Sequence, residues 1–279
     1  MKIVEQQVMK EYSNMKIGGK AKRLIIVDSR EEMKEVYQEY DSLILLGNGT
    51  NVLFGDGYLD YNFVSTENLN KIEALGNGRV LVEAGVDLDA LLCFMEKENL
   101  SGIEKMAGIP GSIGGLTYMN GGAFGTEIFD FIDEIEVLTE GNILRRIPKK
   151  DLNIRYRNTE IQEKKWIVLS VIFQFYSGFD KKTVEEIKKS REEKHPLDKP
   201  SLGSTFKNPK GDFAARLISE AGLKGRKIGG AQIAEKHPNF VLNLGEASFQ
   251  DILDILNLVK TTVKEAFGVQ LEEEIIIIR

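Results

Sequence analysis

Residues 107–125 read AGIPGSIGGLTYMNGGAFG, and this stretch decides the fold. Glycine recurs through it, yet Ile109, Ile113, Leu116, Tyr118, Met119 and Phe124 are interleaved, a mixture that fits neither a flexible linker nor an amphipathic helix. Glycine is favoured where backbone takes positive φ or passes close to a ligand, and successive glycine amides can face one concavity suited to an anion. The pattern predicts a loop wrapped around a ligand, with a pyrophosphate as its natural occupant. A glycine-rich run by itself is usually an ordinary loop. Upstream, however, residues 43–46 form an apolar strand-like run that leads directly into Gly47-Asn48-Gly49-Thr50-Asn51. Two such turns in one chain point to one dinucleotide. Neither is followed by the Gly-Lys-Ser/Thr of a P-loop, and Gly47-x-Gly49 lacks the third Rossmann glycine, which disfavours both of those nucleotide folds.

With 279 residues and 42% hydrophobic content, the chain can hold two or three subdomains with real cores. It opens with no basic-then-apolar leader, and no apolar run approaches the roughly 18 residues of a membrane span; the expectation is a cytoplasmic protein without a membrane partner. Cys93 is the single cysteine and His195 and His237 the only histidines, so there is no disulfide framework and little material for a metal site. The net charge of −6 argues against general nucleic-acid binding. Residues 181–236 nevertheless hold 14 Lys/Arg against 8 Asp/Glu, a local excess that suits a multiply anionic small substrate through electrostatic focusing. A solvated Lys/Glu helix over 181–194, with Glu185 and Lys189 at i,i+4, accounts for part of it. It does not account for Lys207, Lys224, Arg226 and Lys227.

Taken in order, a polar segment over 1–20 precedes a strand at 24–27, a helix over 31–40 and the 43–46 strand. Short strands follow at 52–54 and 63–65. Residues 71–75 and 80–84 flank Gly76-Asn77-Gly78 and predict a hairpin, since Asn-Gly accommodates the positive φ of a tight turn. The spacing of Leu88, Leu91, Leu92 and Met95 predicts a helix over 87–99 with Asp87 as N-cap. Strands are expected at 132–138, 143–147 and 166–176, and the 181–194 helix stops before Pro196. Beyond a hinge at 196–200 come a strand at 204–207, a helix over 213–221, a strand at 240–244, a long helix over 248–267 and a last strand at 271–278. No internal repeat is present.

The loop GIPGSIGGLTYMNGGAFG, the turn LGNGTN, Tyr156-Arg157, the run GSTFKNP at 203–209 and the terminal LEEE at 271–274 occur in one order across most of the chain. Together they resemble the UDP-N-acetylenolpyruvoylglucosamine reductase (UDP-N-acetylmuramate dehydrogenase) family. The glycine loop is shared more loosely with other flavoproteins of the p-cresol methylhydroxylase (PCMH) and vanillyl-alcohol oxidase type, whereas GSTFKNP is more specific. The resemblance implies an α+β fold: an FAD-binding unit of two α+β subdomains, residues 1–70 and 71–195, followed by a small αβ substrate domain over 196–279. It implies reduction of enolpyruvyl-UDP-GlcNAc to UDP-N-acetylmuramate by NADPH through FAD, in peptidoglycan precursor synthesis and hence in cell-wall biogenesis, cell shape and division. Only 47 positions separate Arg157 from Ser204, which resembles the shorter subclass that lacks a tyrosine-bearing insertion. Noncovalent FAD and a monomeric chain complete the expectation.

The resemblance also assigns residues. Arg157 matches the Tyr-Arg position, where a guanidinium fork suits a carboxylate that gains electron density in the transition state. Ser204 matches the hydroxyl proton donor, and Glu274 the terminal carboxylate that polarises the enol system or holds a proton. FAD contacts fall on Gly47, Asn48, Gly49, Thr50 and Asn51, then on Gly108, Ile109, Pro110, Gly111, Ser112, Gly114, Gly115, Asn120 and Gly122. Lys207 and Asn208 are candidates for the substrate's phosphates. Asn48, Gly121 and Asn14-Met15-Lys16 depart from the usual family residues. Alone, Arg157 would read as a surface ion-pair partner, Ser204 as a turn residue and Glu274 as a solvated charge; only the joint pattern reverses this. The alternatives are an FAD-linked hydroxy-acid or alcohol oxidase of the same fold, and a flavin- or nucleotide-sugar-binding protein without turnover.

Overall fold

The positive φ angles of Gly76, Asn77 and Gly78 (87°, 52° and 74°) close the expected hairpin between the Ile72–Gly76 and Arg79–Glu83 strands. Gly78 is required twice over, because a Cβ there would lie 2.2 Å from the Phe175 carbonyl oxygen. The computed structural model describes residues 1–279, and the hairpin is one edge of an antiparallel sheet. That sheet runs Ile143–Pro148, Ile132–Thr139, Ile167–Gln174, Arg79–Glu83 and Ile72–Gly76. Its centre, Ile167–Gln174, is buried over its first seven residues. Alternation sends its side chains to two different cores. Val168, Val171 and Phe173 join Val80, Val82, Ile135, Leu91 and Ile113. Ile167 and Leu169 join Ile25, Val27, Met33, Val36 and Val64.

These elements belong to the first of two compact units, which comprises residues 1–5, 23–48 and 61–191. The Arg30–Glu39 helix is capped by Ser29, whose hydroxyl accepts from the Glu32 amide. The Leu88–Lys97 helix buries Leu88, Leu91, Leu92 and Met95 as their spacing requires. Asp87 occupies the position before it without capping it by side chain; its carboxylate accepts instead from the side-chain Nδ2 of Asn48. A further correction lies inside the glycine loop, where Ile113–Tyr118 is a short helix. Ser112 initiates it by accepting from the Gly115 amide at 3.3 Å. Ile113, Leu116 and Thr117 are buried, and that packing overrides the low helix propensity of Gly114 and Gly115.

The second unit comprises residues 6–22, 49–60 and 192–279. Its sheet runs Ser201–Ser204, Phe240–Asn243, Ala231–Ile233 and Lys227–Ile228. The Phe249–Phe267 helix carries a Ser248/Asp251 capping box and ends at Gly268, φ 68°. It buries Ile252, Ile255, Leu256, Val259 and Val263 at helical spacing, each burial stabilising by about 1.5–3 kcal/mol. Met15, Ile17 and Leu53 complete the same core, and Val52–Phe54 pairs in parallel with Ile276–Ile278. The C-terminal segment thus shares its core with two distant pieces of the amino-terminal third.

Two expected strands differ. The 204–207 strand is observed at Ser201–Ser204, because Thr205 and Phe206 turn their amides to Asn239. The last strand is only Ile276–Ile278. Leu271 and Ile275 are drawn into the core, and Glu273 makes a single bridge to Phe206, so residues 271–275 form no regular strand. No helix is long and apolar enough to cross a membrane. Leu53 is fully buried, so Leu53→Ala is expected to destabilise the protein by about 2–5 kcal/mol. Urea unfolding measures this, and an unchanged midpoint would remove residues 49–60 from the core of the second unit.

Candidate active site

Gly47, in the first unit, lies against the 107–125 loop. A Cβ on Gly47 would stand 2.7 Å from the Ser112 hydroxyl, and the adjacent Asn48 side-chain amide is the one held by Asp87. The 107–125 loop is laced to the sheet through its own backbone: Ile113 N–H donates to Val86 O and Gly114 N–H to Ala84 O, both at 2.8 Å. A side chain at Gly114 would meet Ala84 at 2.8 Å. Gly114 therefore serves close packing, and its amide is committed to the sheet. Gly108 and Gly111 take φ of 75° and 143°, where the loop bends around Ile109 and Pro110.

Arg157 closes a two-residue turn between Ile154–Arg155 and Asn158–Thr159 and has φ 51°, a conformation that non-glycine residues adopt only when their surroundings hold them there. The restraints are visible. Nη1 donates to Asn120 O at 2.8 Å and Nη2 to Gly122 O at 2.5 Å, while Glu127 Oε1 stands 3.7 Å from Nη1. The Tyr156 ring lies 4.9 Å from the guanidinium carbon, and Thr159 Oγ1 donates to Tyr118 O at 2.6 Å. Asn120, with φ 48°, donates from Nδ2 to Glu127 at 2.7 Å and to Arg155 O at 3.2 Å. Its Oδ1 is buried without a hydrogen-bond partner. Glu127 grips both Asn120 and Arg157, a role no sequence motif indicated.

Ser204, Lys207, Asn208 and Glu274 lie in the second unit. Gly203, φ 74°, sits in the irregular register between Ser201 and Ser204, a bulge of the kind that re-aims a side chain. The Glu274 amide donates to Thr205 O at 2.8 Å, so Ser204 and Glu274 are carried on adjoining backbone. Gly49, Thr50 and Asn51 belong to the same unit. Asn51 Nδ2 donates to Glu274 O at 3.0 Å, and Gly49 is packed so closely that a Cβ would lie 1.7 Å from Tyr12 O. Lys207 reaches Glu272 at 3.7 Å, and Asn208 Oδ1 accepts from the Ala214 amide at 3.0 Å. Asn239, which the sequence reading passed over, is the clamp. Its side chain exchanges two hydrogen bonds with the Phe206 backbone, at 3.0 and 2.8 Å, and its carbonyl accepts from Thr205 at 2.7 Å. A polar residue just before an apolar strand was the available signal.

Family models match two parts of the chain: the FAD binding domain over residues 21–146, and the C-terminal domain of UDP-N-acetylenolpyruvoylglucosamine reductase over 195–278. The reductase of that name from Fusobacterium nucleatum is 63% identical over 281 residues, covering 100% of both chains. The chain belongs to the UDP-N-acetylenolpyruvoylglucosamine reductase family. It is accordingly an FAD-dependent oxidoreductase of the α+β, PCMH-type flavoprotein fold. The family member from Caldanaerobacter subterraneus is 39% identical, covering 99% of this chain and 94% of the relative. The crystal structure of the Thermus caldophilus reductase superposes with a TM-score of 0.85 at 29% identity, covering 100% of this chain and 98% of the other.

Two predictions follow from the second unit of this family member. Asn239→Ala would leave the buried Phe206 N–H and C=O without partners, at about 1–3 kcal/mol for each orphaned group; chemical denaturation is expected to show a loss of that order. Next to Asn239, the His237 ring packs edge-on against His195 and Phe240 at 5.1 and 4.9 Å, and burial lowers its pKa from 6.5. The unfolded chain therefore binds a proton that the folded chain resists, so stability falls as pH drops through about 6.5. Melting temperatures across that range should decline, and His237→Phe should flatten the decline; an equal slope in both proteins would refute the assignment.

Proposed function

We infer that the protein reduces the enolpyruvyl ether of UDP-N-acetylglucosamine to UDP-N-acetylmuramate with NADPH, supplying a peptidoglycan precursor in the cytoplasm. One observation carries this reading beyond family membership: the Arg157 guanidinium, in a left-handed turn, is fixed by main-chain carbonyls of the same glycine loop that is shaped for a cofactor. The residues present fit FAD. Gly47 and Ser112 meet where no Cβ could stand, and the buried Asn120 Oδ1 lacks a partner within the protein. Gly47–Asn51 and Gly108–Ser112 would hold the dinucleotide, with Gly115 providing close approach, Asn120 and Gly122 flanking the reacting region, and Gly114 supporting the loop through its packing on Ala84.

Bound FAD supplies two-electron transfer from NADPH to the methylene carbon of the enolpyruvyl group. The remaining work falls to this chain. As charge builds on the carboxylate next to the second vinyl carbon, the guanidinium of Arg157 stabilises it through charge-assisted hydrogen bonds. The Ser204 hydroxyl delivers the proton to that carbon. Serine is a weak acid, but an enolate-like carbon is a strong base, so positioning suffices. Glu274 polarises the same system, and Lys207 and Asn208 bind the phosphates of the nucleotide sugar.

The reading is tested by NADPH consumption. Purified protein should oxidise NADPH at a steady rate only when the enolpyruvyl substrate is supplied. Ser204→Ala should lower that rate by about 10²–10⁴-fold, the usual contribution of a positioned acid, while bleaching of the flavin by NADPH alone continues at the wild-type rate. Substrate-independent NADPH oxidation, or a Ser204→Ala protein with full turnover, would defeat the assignment.

A further inference from the structure

The Lys181–Lys194 helix buries none of its residues fully, and its lysines behave as surface charges should. Lys181 pairs with Glu96, Lys182 with Glu186 and Lys188 with Asp89. Arg191, on the same helix, does not. Its Nε is buried and has no hydrogen-bond partner, and its guanidinium forms neither a hydrogen bond nor an ion pair with any side chain or carbonyl of the protein. Its neighbours are the Phe124 ring, whose centroid lies 5.5 Å from the guanidinium carbon, and Gly108, where a Cβ would approach the Arg191 Cδ at 3.0 Å. Gly108 (φ 75°) and Phe124 (φ 51°) both hold left-handed conformations, and they stand near opposite ends of the glycine loop.

Such an arrangement is costly for the protein alone. A guanidinium cannot shed its proton to escape burial, although burial lowers its pKa. Arg191 is only half-buried and its Nη atoms reach solvent, so what stays uncompensated is the buried Nε–H, which a cation–π contact of about 0.5–1 kcal/mol does not hydrogen-bond. The helix packs Val184 and Ile187 against the core of the first unit, and Arg191 follows them at helical spacing on that same face, away from the carboxylates that pair with the lysines. The guanidinium is left able to receive an anion, and the Phe124 ring and Gly108 beside it both belong to the loop shaped for a dinucleotide. Arg191 also lies between the two family-model matches, outside the 21–146 segment that carries the FAD binding domain.

We propose that Arg191 is a cofactor-binding residue whose guanidinium pairs with a negatively charged oxygen or ring atom of bound FAD, held at that place by Phe124 and by the missing side chain of Gly108. The inference rests on the flavin reading above. The anion has two sources within one ligand, the pyrophosphate and the reduced isoalloxazine, and they are experimentally separable.

Flavin-depleted protein is titrated with FAD and followed by quenching of flavin fluorescence, and the midpoint potential of the bound flavin is measured alongside. Arg191→Gln is expected to weaken FAD binding by about 10- to 100-fold, the effect of losing one charged hydrogen bond, with Arg191→Lys intermediate. If the pyrophosphate is the partner, riboflavin binds the wild type and Arg191→Gln equally well. If the reduced ring is the partner, affinity for oxidised FAD changes little and the midpoint potential falls instead. Phe124→Leu should reproduce a smaller part of whichever effect is seen. Thermal unfolding of the flavin-free proteins guards against a merely structural role: Arg191→Gln should be as stable as wild type or more so, because it removes the uncompensated Nε–H. Unchanged affinity together with unchanged potential would overturn the proposal, as would a flavin-free Arg191→Gln protein that unfolds earlier than wild type. A wild-type protein that fails to bind FAD would instead overturn the flavin reading itself.

Discussion

The contact on which the glycine-loop part of the first unit depends is that of Gly114 with Ala84. The Gly114 amide donates to the Ala84 carbonyl, the Ala84 amide donates to Leu169 O at 3.0 Å, and no atom fits between the two residues beyond glycine's hydrogen. The loop is thereby riveted to the centre of a sheet whose middle strand is packed from both sides. From that anchor the short helix fixes Tyr118, the chain turns at Asn120, and two carbonyls come to lie where the Arg157 guanidinium receives its orientation. A backbone rather than a set of side chains does the aiming, which suits a reaction that needs a charge held at a fixed angle.

The two units solve their local problems differently. In the first, Asn120, Phe124 and Arg157 hold positive φ angles at the glycine loop, and hydrogen bonds fix two of them, Asn120 and Arg157, in place. In the second, the GSTFKNP run is held by a buried amide side chain: Asn239 replaces the ladder partner that Phe206 gives up on leaving the sheet. The bulge at Gly203 sets Ser204 at the end of its strand, and Glu274 lies in the irregular 271–275 segment that precedes the Ile276–Ile278 strand.

Much of this was legible from local pattern. The Gly76-Asn77-Gly78 hairpin, the 181–194 helix and the 43–46 and 52–54 strands were readable because turn chemistry and side-chain period are properties of a few consecutive residues. The Ile113–Tyr118 helix was hidden, since two glycines sit in it and only its packing against the sheet makes it helical. Arg157, Ser204 and Glu274 were nameable only through family resemblance; their restraints were not, because carbonyls of Asn120 and Gly122 leave no trace in composition. Arg191 was camouflaged by a charged helix, and Glu127 and Asn239 by having no motif at all. The attachment of Met15, Ile17 and Leu53 to the C-terminal core was equally invisible, as periodicity reports which face is apolar and not what will cover it.

That last feature bears on how the chain is made. Residues 6–22 and 49–60 precede, in chain order, the remainder of the second unit, residues 192–279, which supplies the Phe249–Phe267 helix and the Ile276–Ile278 strand of the same core. That core cannot close until residues 249–278 have been synthesised, so Met15, Ile17 and Leu53 stay uncovered by it throughout synthesis of the first unit.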